Sequence, residues 1–325
     1  MTTTIALFAT AVAFVLICGA NDGASLLAMA VRHSTGSAVP VLLVLTAAVA
    51  AGPALFGVRV ARTFTDGLIP EDAAHPALIF LCGATAALLL VLLLTWWGIP
   101  TSITLAVLGG LAGAGSGLGE RPQWARLGLV LGIAAAAPLV GAAAGFALGR
   151  GARRMPTAAG MPRMVRGAHL AAFGCQCLAY AANDGQKMFA VAAVATTGHV
   201  GGSLDAPPGV APTAVVALVF AAGTVLSLRR VSGGASVRLL AARPWQVASA
   251  EMASSATVLS SAALGAPVSM TQTVIGALVG AGASEGGRRV RWQFAVPLVT
   301  AWGVTLPAAY AAGLLAGLLA RGVTA

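Results

Sequence analysis

Two Ala-Asn-Asp-Gly tetrads, Ala20-Asn21-Asp22-Gly23 and Ala182-Asn183-Asp184-Gly185, each lie inside a long apolar stretch. An ionisable carboxylate at bilayer depth costs several kcal/mol at least, on the order of 3 kcal/mol on insertion scales, and is kept where it has work to do. Two such groups in matching contexts imply a duplicated membrane chain with a polar site shared between its halves. Secondary transporters are built this way, with the site at the junction of two repeats.

The composition agrees. Of 325 residues, 58% are hydrophobic and only 9% charged, with mean hydropathy +0.90. A soluble domain carries about a quarter charged residues. The apolar runs are Ala/Leu/Val/Gly-rich and of helical length, without the alternating pattern of an outer-membrane barrel. The predicted fold is an all-α integral membrane protein.

A formal charge of +10 invites a nucleic-acid partner, but the arginines sit in connections between apolar stretches. Arg150, Arg153, Arg154, Arg163 and Arg166 mark one such connection; Arg229, Arg230, Arg238 and Arg243 mark another; Arg288, Arg289 and Arg291 a third. By the positive-inside rule these face the cytoplasm and touch anionic lipid. The connection around Thr197–Pro208 has no Lys or Arg and is assigned outside. The first apolar stretch lacks a basic leader and is broken by Asp22, so it reads as a retained helix and not a cleaved signal. The location that follows is the cell inner (plasma) membrane, multi-pass, with no nucleic-acid partner.

Apolar segments run near 4–31, 38–58, 76–97, 99–118, 126–149, 167–198, 210–228, 244–264, 266–283 and 292–320. The Arg-rich stretch 150–166 divides them five and five, giving a first repeat over 1–149, a cytoplasmic linker over 150–166 and a second repeat over 167–325. Asn21-Asp22 maps onto Asn183-Asp184, an offset of 162 (183 minus 21). Pro100-Thr101-Ser102-Ile103-Thr104 maps onto Pro267-Val268-Ser269-Met270-Thr271, an offset of 167 (267 minus 100), and Gly109–Gly115 maps onto Gly276–Gly282 at the same offset. An odd number of crossings per half makes the repeats inverted; an even number makes them parallel. The count turns on whether 99–118 and 266–283 cross the bilayer or dip in and return.

Both short segments open with Gly-x-Pro, at Gly98-Ile99-Pro100 and Gly265-Ala266-Pro267. Gly ends the preceding helix and Pro, at the first helical position, starts the next. Ser102, Thr104, Ser269 and Thr271 then fall in the first turn, where unpaired N–H groups, hydroxyls and the positive end of the dipole converge. Two such tips facing one another make an anion site. Gln272, Asn21 and Asn183 add groups that orient oxyanion oxygens or bridge helices.

These residues resemble the PiT family of inorganic phosphate transporters, in the Gly-Ala-Asn-Asp and Pro-Val-Ser-Thr-Thr type motifs and in Ala250-Glu251-Met252-Ala253-Ser254-Ser255. The resemblance implies symport of phosphate with a cation by two related helical repeats, each with a broken helix and a proline-capped half-helix hairpin, commonly as a homodimer. It places substrate contacts at Asn21, Asp22, Ser102, Thr104, Asn183, Asp184, Ser269, Thr271 and Gln272. The chain departs from the pattern at Ile103 and Met270, where the central hydroxyl is lost in both halves, and at Ser25 and Lys187, where a second Asn is usual.

Lys187 is the only lysine in the chain, three residues after Asp184 and far from either end of its apolar stretch. Its ammonium is expected either to line a vestibule in a structural pair with Asp184 or to stand where a sodium ion would, making transport proton-coupled. An Asn-Asp-Gly-Gln-Lys run resembles the proton-coupled bacterial members. The cation-coupling residues are therefore Asp22, Ser25, Asp184, Lys187 and Glu251. Burial disfavours a charged carboxylate and a nearby cation favours it, so an acid between these influences can carry a proton. Asp22, without a basic neighbour in sequence, is the stronger carrier; Glu251 takes part or bonds to a neighbouring helix.

No cofactor motif is present, and the coupling ion is a proton or, second, sodium. Cys18, Cys82, Cys175 and Cys177 fit no zinc or redox spacing and read as small buried residues. His33, His75, His169 and His199 sit at segment ends and are expected at the interfaces, as are Trp96, Trp97 and Trp124. Alternatives are sulfate or another tetrahedral oxyanion, a passive channel, and an intramembrane aspartyl protease using Asp22 and Asp184, which lacks the expected Gly-x-Gly-Asp context. The expected class is a transporter and not an enzyme.

Overall fold

The computed structural model describes residues 2–33, 37–65, 67–70, 73–97, 101–154, 161–200, 204, 206–231 and 244–324. Gly98, Ile99 and Pro100, residues 155–160 of the Arg-rich connection, and Arg238 and Arg243 lie outside them. So do the side chains of His33, Arg163, Arg229, Arg230 and Arg289. Among the described residues the regular structure is helical, as expected.

The two tetrads interrupt their helices in one way. Helix α1 (Thr2–Cys18) passes through a π-turn at Gly19–Gly23 into α2 (Ala24–His33). Helix α8 (Met161–Tyr180) passes through a π-turn at Ala181–Gly185 into α9 (Gln186–Thr197). The flanking residues keep right-handed helical dihedrals, so the chain runs on without a sharp break. A π-turn skips an i→i+4 bond and leaves a carbonyl for other donors. Ser25 Oγ donates to the Asn21 carbonyl at 2.7 Å, and Gln186 Nε2 donates to the Ala182 carbonyl at 2.7 Å. The break anticipated in sequence thus takes the form of one overwide turn with its carbonyls re-satisfied by side chains.

Between these elements lie α3 (Ala38–Phe56), α4 (Arg59–Thr65), α5 (Pro76–Trp96), the short α6 (Ile103–Leu118) and α7 (Trp124–Ala152). The second half continues with α10 (Val210–Val231), α11 (Pro244–Ala263), the short α12 (Met270–Ala283) and α13 (Trp292–Thr324). Among the described residues six helices are long and apolar enough to cross a membrane, with α1 and α2 counted as one, while α6 and α12 are shorter apolar helices.

The duplicated glycine runs have a packing cause. A Cβ on Gly109 or Gly113 would fall on the Leu306 or Tyr310 carbonyl oxygen of α13, and one on Gly276 or Gly280 on the Pro138 or Ala142 carbonyl of α7. Each short helix therefore lies backbone to backbone against the last long helix of the other half, an approach that only small residues permit. Helix α5 packs on α6 as α11 packs on α12, completing a pairwise exchange of partners between the halves. The exchange brings the N-termini of α6 and α12 together in the interior.

Helix α4 was not foreseen. Seven residues with two arginines are too short and polar to register as an apolar segment. Its N-terminus is capped from the other half: Gln186 Oε1 accepts from the N–H groups of Val60 (2.9 Å) and Ala61 (3.2 Å). Arg59 donates to the Ala263 carbonyl at 3.1 Å and Thr63 to the Gly265 carbonyl at 2.7 Å, tying α4 to the turn between α11 and α12.

Candidate functional site

The turn ahead of α12 is built as expected at one end and not at the other. Gly265 has φ +70°, the left-handed conformation that closes α11 after Ala263. Pro267, however, is not the first helical residue. Ser269 is the N-cap, extended at φ −95° and ψ 118°, and its hydroxyl accepts from the Gln272 N–H at 3.4 Å. Pro267 lies two residues earlier, in an extended stretch whose polar groups are bonded sideways. Asn183 Oδ1 accepts from the Val268 N–H (3.1 Å) and its Nδ2 donates to the Ala266 carbonyl (3.0 Å) and to Ser261 Oγ (3.2 Å). Asn183 is thus a clamp on the strand-like approach to the tip. Ser102 repeats the N-cap at α6, accepting from the Leu105 N–H at 3.3 Å. Thr101 behind it bonds Thr305 of α13 at 2.8 Å.

The two tips touch. Thr104 Oγ1 lies 3.2 Å from the Val268 carbonyl, and Ser102, Thr104, Ser269 and Gln272 are all buried. Each tip meets a carboxylate. On one side Thr271 donates to Asp22 Oδ1 at 2.9 Å, and Asn21 Nδ2 donates to the same oxygen at 2.9 Å. On the other, Asp184 Oδ2 accepts from the Met270 N–H at 3.3 Å, a carboxylate seated at the positive end of α12.

The two sides differ by one inserted group. Thr271 reaches Asp22 directly, whereas its counterpart Thr104 is joined to Asp184 through Lys187. The Lys187 ammonium donates to Asp184 Oδ1 at 2.7 Å, to Thr104 Oγ1 at 2.6 Å and to the Val268 carbonyl. Its side chain is 3% exposed and that of Asp184 7%. A carboxylate, a hydroxyl and a carbonyl around one positive charge is the donor set of a hard monovalent cation. In the first half the equivalent position is Ser25, and a cavity of about 20 Å³ opens there, lined by Asp22, Ser25, Met270 and Thr271. That volume is room for one water-sized species.

Glu251 is elsewhere. Its carboxylate is fully enclosed and meets His169 Nδ1 of α8 at 2.7 Å. That corrects the interfacial placement of His169, which is 0% exposed. The spacing of α8 carried the signal, since His169, Phe173, Gln176 and Tyr180 share one helix face. His75 and His199 are exposed, as are Trp96, Trp97 and Trp124. The four cysteines are free, and no His/Cys/Asp/Glu group among the described residues is arranged to hold a metal ion.

Comparison with known proteins fits this architecture. The model of the phosphate transporter family matches residues 18–159 and 150–313. A probable low-affinity inorganic phosphate transporter of Mycobacterium bovis is 32% identical over 311 residues, covering 92% of this chain and 73% of that protein. One of the same description from Bacillus subtilis is 26% identical over 327 residues, covering 96% of each. The solved structure named the sodium-dependent phosphate transporter shares the fold, with TM-score 0.82 over 99% of this chain and 100% of that one at 18% identity. Such proteins are transporters and not enzymes, which sets aside the aspartyl-protease reading. The chain is a multi-pass membrane protein belonging to the phosphate transporter family.

Proposed function

We propose that this protein carries inorganic phosphate across the inner membrane together with protons, by alternating access around the joined tips of α6 and α12. The observation that carries the reading is Lys187, whose ammonium fills a ring of three oxygens on the Asp184 side while the Asp22 side keeps a water-sized cavity. A tethered charge removes the need for a sodium ion there and leaves Asp22 as the group that changes charge.

The geometry couples proton to substrate through Thr271. A hydroxyl has one hydrogen to donate. With Asp22 ionised, that hydrogen is given to Asp22 Oδ1. Protonation of Asp22 removes a negative charge from the site and frees the Thr271 hydroxyl, so both changes favour an incoming oxyanion at the α12 tip. Once the anion has left, loss of the proton returns the hydroxyl to Asp22 and resets the empty site. Phosphate still bears a hydroxyl that can donate to the remaining carboxylate, Asp184, whereas sulfate at neutral pH has none to offer. The cavity beside Asp22 is too small for a tetrahedral oxyanion, so loading requires the tips to part on one side and close on the other.

The test is uptake of labelled phosphate into proteoliposomes under imposed pH and sodium gradients. An alkaline interior without sodium is expected to drive accumulation that a hundredfold excess of sulfate does not suppress. A strict sodium requirement, flux indifferent to both gradients, or equal competition by sulfate contradicts the reading.

A further inference from the structure

The buried polar groups that the phosphate site does not use form a column on one face of α8. His169, Gln176 and Tyr180 follow at i, i+7 and i+11, with the apolar Phe173 on the same face between the first two, and Asp184 lies one turn beyond. His169, Gln176 and Tyr180 are each 0% exposed. The His169 ring meets Glu251 of α11 at 2.7 Å. Glu251 in turn lies within electrostatic reach of Cys177 on α8, and Tyr180 within reach of both Asp22 and Asp184. Neither amide atom of Gln176 nor the Tyr180 hydroxyl has a hydrogen-bond partner in the structure.

Enclosed amides and hydroxyls are left without partners only rarely, because each costs about 1–3 kcal/mol. Where they persist they are hydrated or functional. Here the two, Gln176 and Tyr180, stand one helical turn apart, and with the His169–Glu251 contact they make a column about 16 Å long, eleven residues at 1.5 Å each from His169 to Tyr180. The column starts two helical turns inside the end of α8 that carries the Arg150–Arg166 connection, the face assigned to the cytoplasm. It ends at the two site carboxylates. Its ionisable surroundings are sparse. Helix α3 has no ionisable side chain, α11 contributes Glu251, α1 brings Cys18 within reach of Tyr180, and α8 adds Cys175, Cys177, the exposed Arg166 and Arg163, whose side chain is not among the described ones. Helix α2 adds Arg32 and His33, whose side chains are not among the described ones.

We propose that this column is a proton exit path, with Glu251 and His169 as its terminal relay and Gln176 and Tyr180 holding the waters that join the relay to Asp22. The proton leaves the Asp22 carboxyl and passes along the water file, each oxygen taking one hydrogen and giving up another. It arrives on the Glu251 carboxylate and then goes to His169 and the cytoplasmic water. No group in the path changes its net proton count over a cycle. The inference rests on the proton-coupled reading above.

Two assays separate the failure of that reading from the failure of the path. Phosphate counterflow at equal pH exchanges labelled for unlabelled phosphate without net proton release; accumulation under a pH gradient requires it. In Glu251→Gln and Tyr180→Phe proteoliposomes, counterflow is expected within twofold of the unaltered protein, with accumulation and proton flux at least tenfold lower. Tyr180→Phe removes a single oxygen and keeps the ring packed 5.4 Å from Phe220, so it folds even if the buried Glu251 variant does not. Undiminished pH-driven accumulation in the variants overturns the path. Equal loss of counterflow and accumulation in monodisperse variant protein also overturns it, by showing a binding or structural role. If the unaltered protein itself ignores the pH gradient, proton coupling falls first and the path with it.

Discussion

Lys187→Asn removes a cation from a pocket that was built around it. The ammonium and Asp184 are 3% and 7% exposed, so the carboxylate is left with almost no water to replace its partner. Removing one member of a buried pair costs about 3–5 kcal/mol. At roughly 2–4 °C per kcal/mol, this lowers the melting temperature by about 10 °C. The Asp184, Thr104 and Val268 oxygens stay in place around the emptied volume, joined by the new amide oxygen. A sodium ion entering there restores stability by mass action, about 2.7 kcal/mol at one hundred times its dissociation constant. Melting in detergent with sodium chloride against choline chloride at equal ionic strength measures this directly. The variant is expected to melt well below the unaltered protein in choline and to recover more than half the loss in sodium. Its phosphate uptake is expected to become sodium-stimulated. Identical melting in both salts, with uptake still indifferent to sodium, would falsify the view that the lysine stands in for an ion.

Three further outcomes follow from other contacts. Thr271→Val deletes the hydroxyl that donates to Asp22 and, in the proposed cycle, to the oxyanion; a donor to a charged partner is worth about 1.5–3 kcal/mol, so KM for phosphate should rise by at least tenfold and lose most of its pH dependence in uptake assays. Gln186→Leu strips the cap from α4 and leaves the Val60 and Ala61 N–H groups enclosed without an acceptor; about 1–3 kcal/mol each is expected, read as faster hydrogen exchange confined to residues 59–65. Gly280→Leu drives a side chain into the α7 backbone at the Ala142 carbonyl; separation of α12 from α7 should appear as loss of the monodisperse peak on size exclusion, since backbone cannot yield as a side chain can.

What was legible in the sequence was whatever duplication wrote twice. Thr104 and Thr271 align across the repeat, and both sit at the joined tips. The two glycine runs align, and each lies on the long helix of the opposite half. Helix limits were close for the long apolar elements because hydrophobic length sets them. Besides the short helix α4, three features were not legible, each for a physical reason. The π-turns use ordinary helical dihedrals with no breaker residue beyond Gly, so only the hydrogen-bond register reveals them. Pro267 looked like a helix start, but Ser269 two residues later offers a hydroxyl to the Gln272 N–H and wins the cap. The contact of His169 with Glu251 joins different helices, and a histidine near a segment end is read by default as wet.

The central claim is that the α6 and α12 tips enclose one pocket that opens to each side of the membrane in turn. Cysteine accessibility at the α12 tip tests it most directly, using Thr271→Cys in a background with Cys18, Cys82, Cys175 and Cys177 replaced by alanine. An impermeant maleimide is expected to label this position from either face of oriented vesicles, with phosphate slowing both reactions and sulfate neither. Labelling from one face alone, or at a rate indifferent to phosphate, contradicts it.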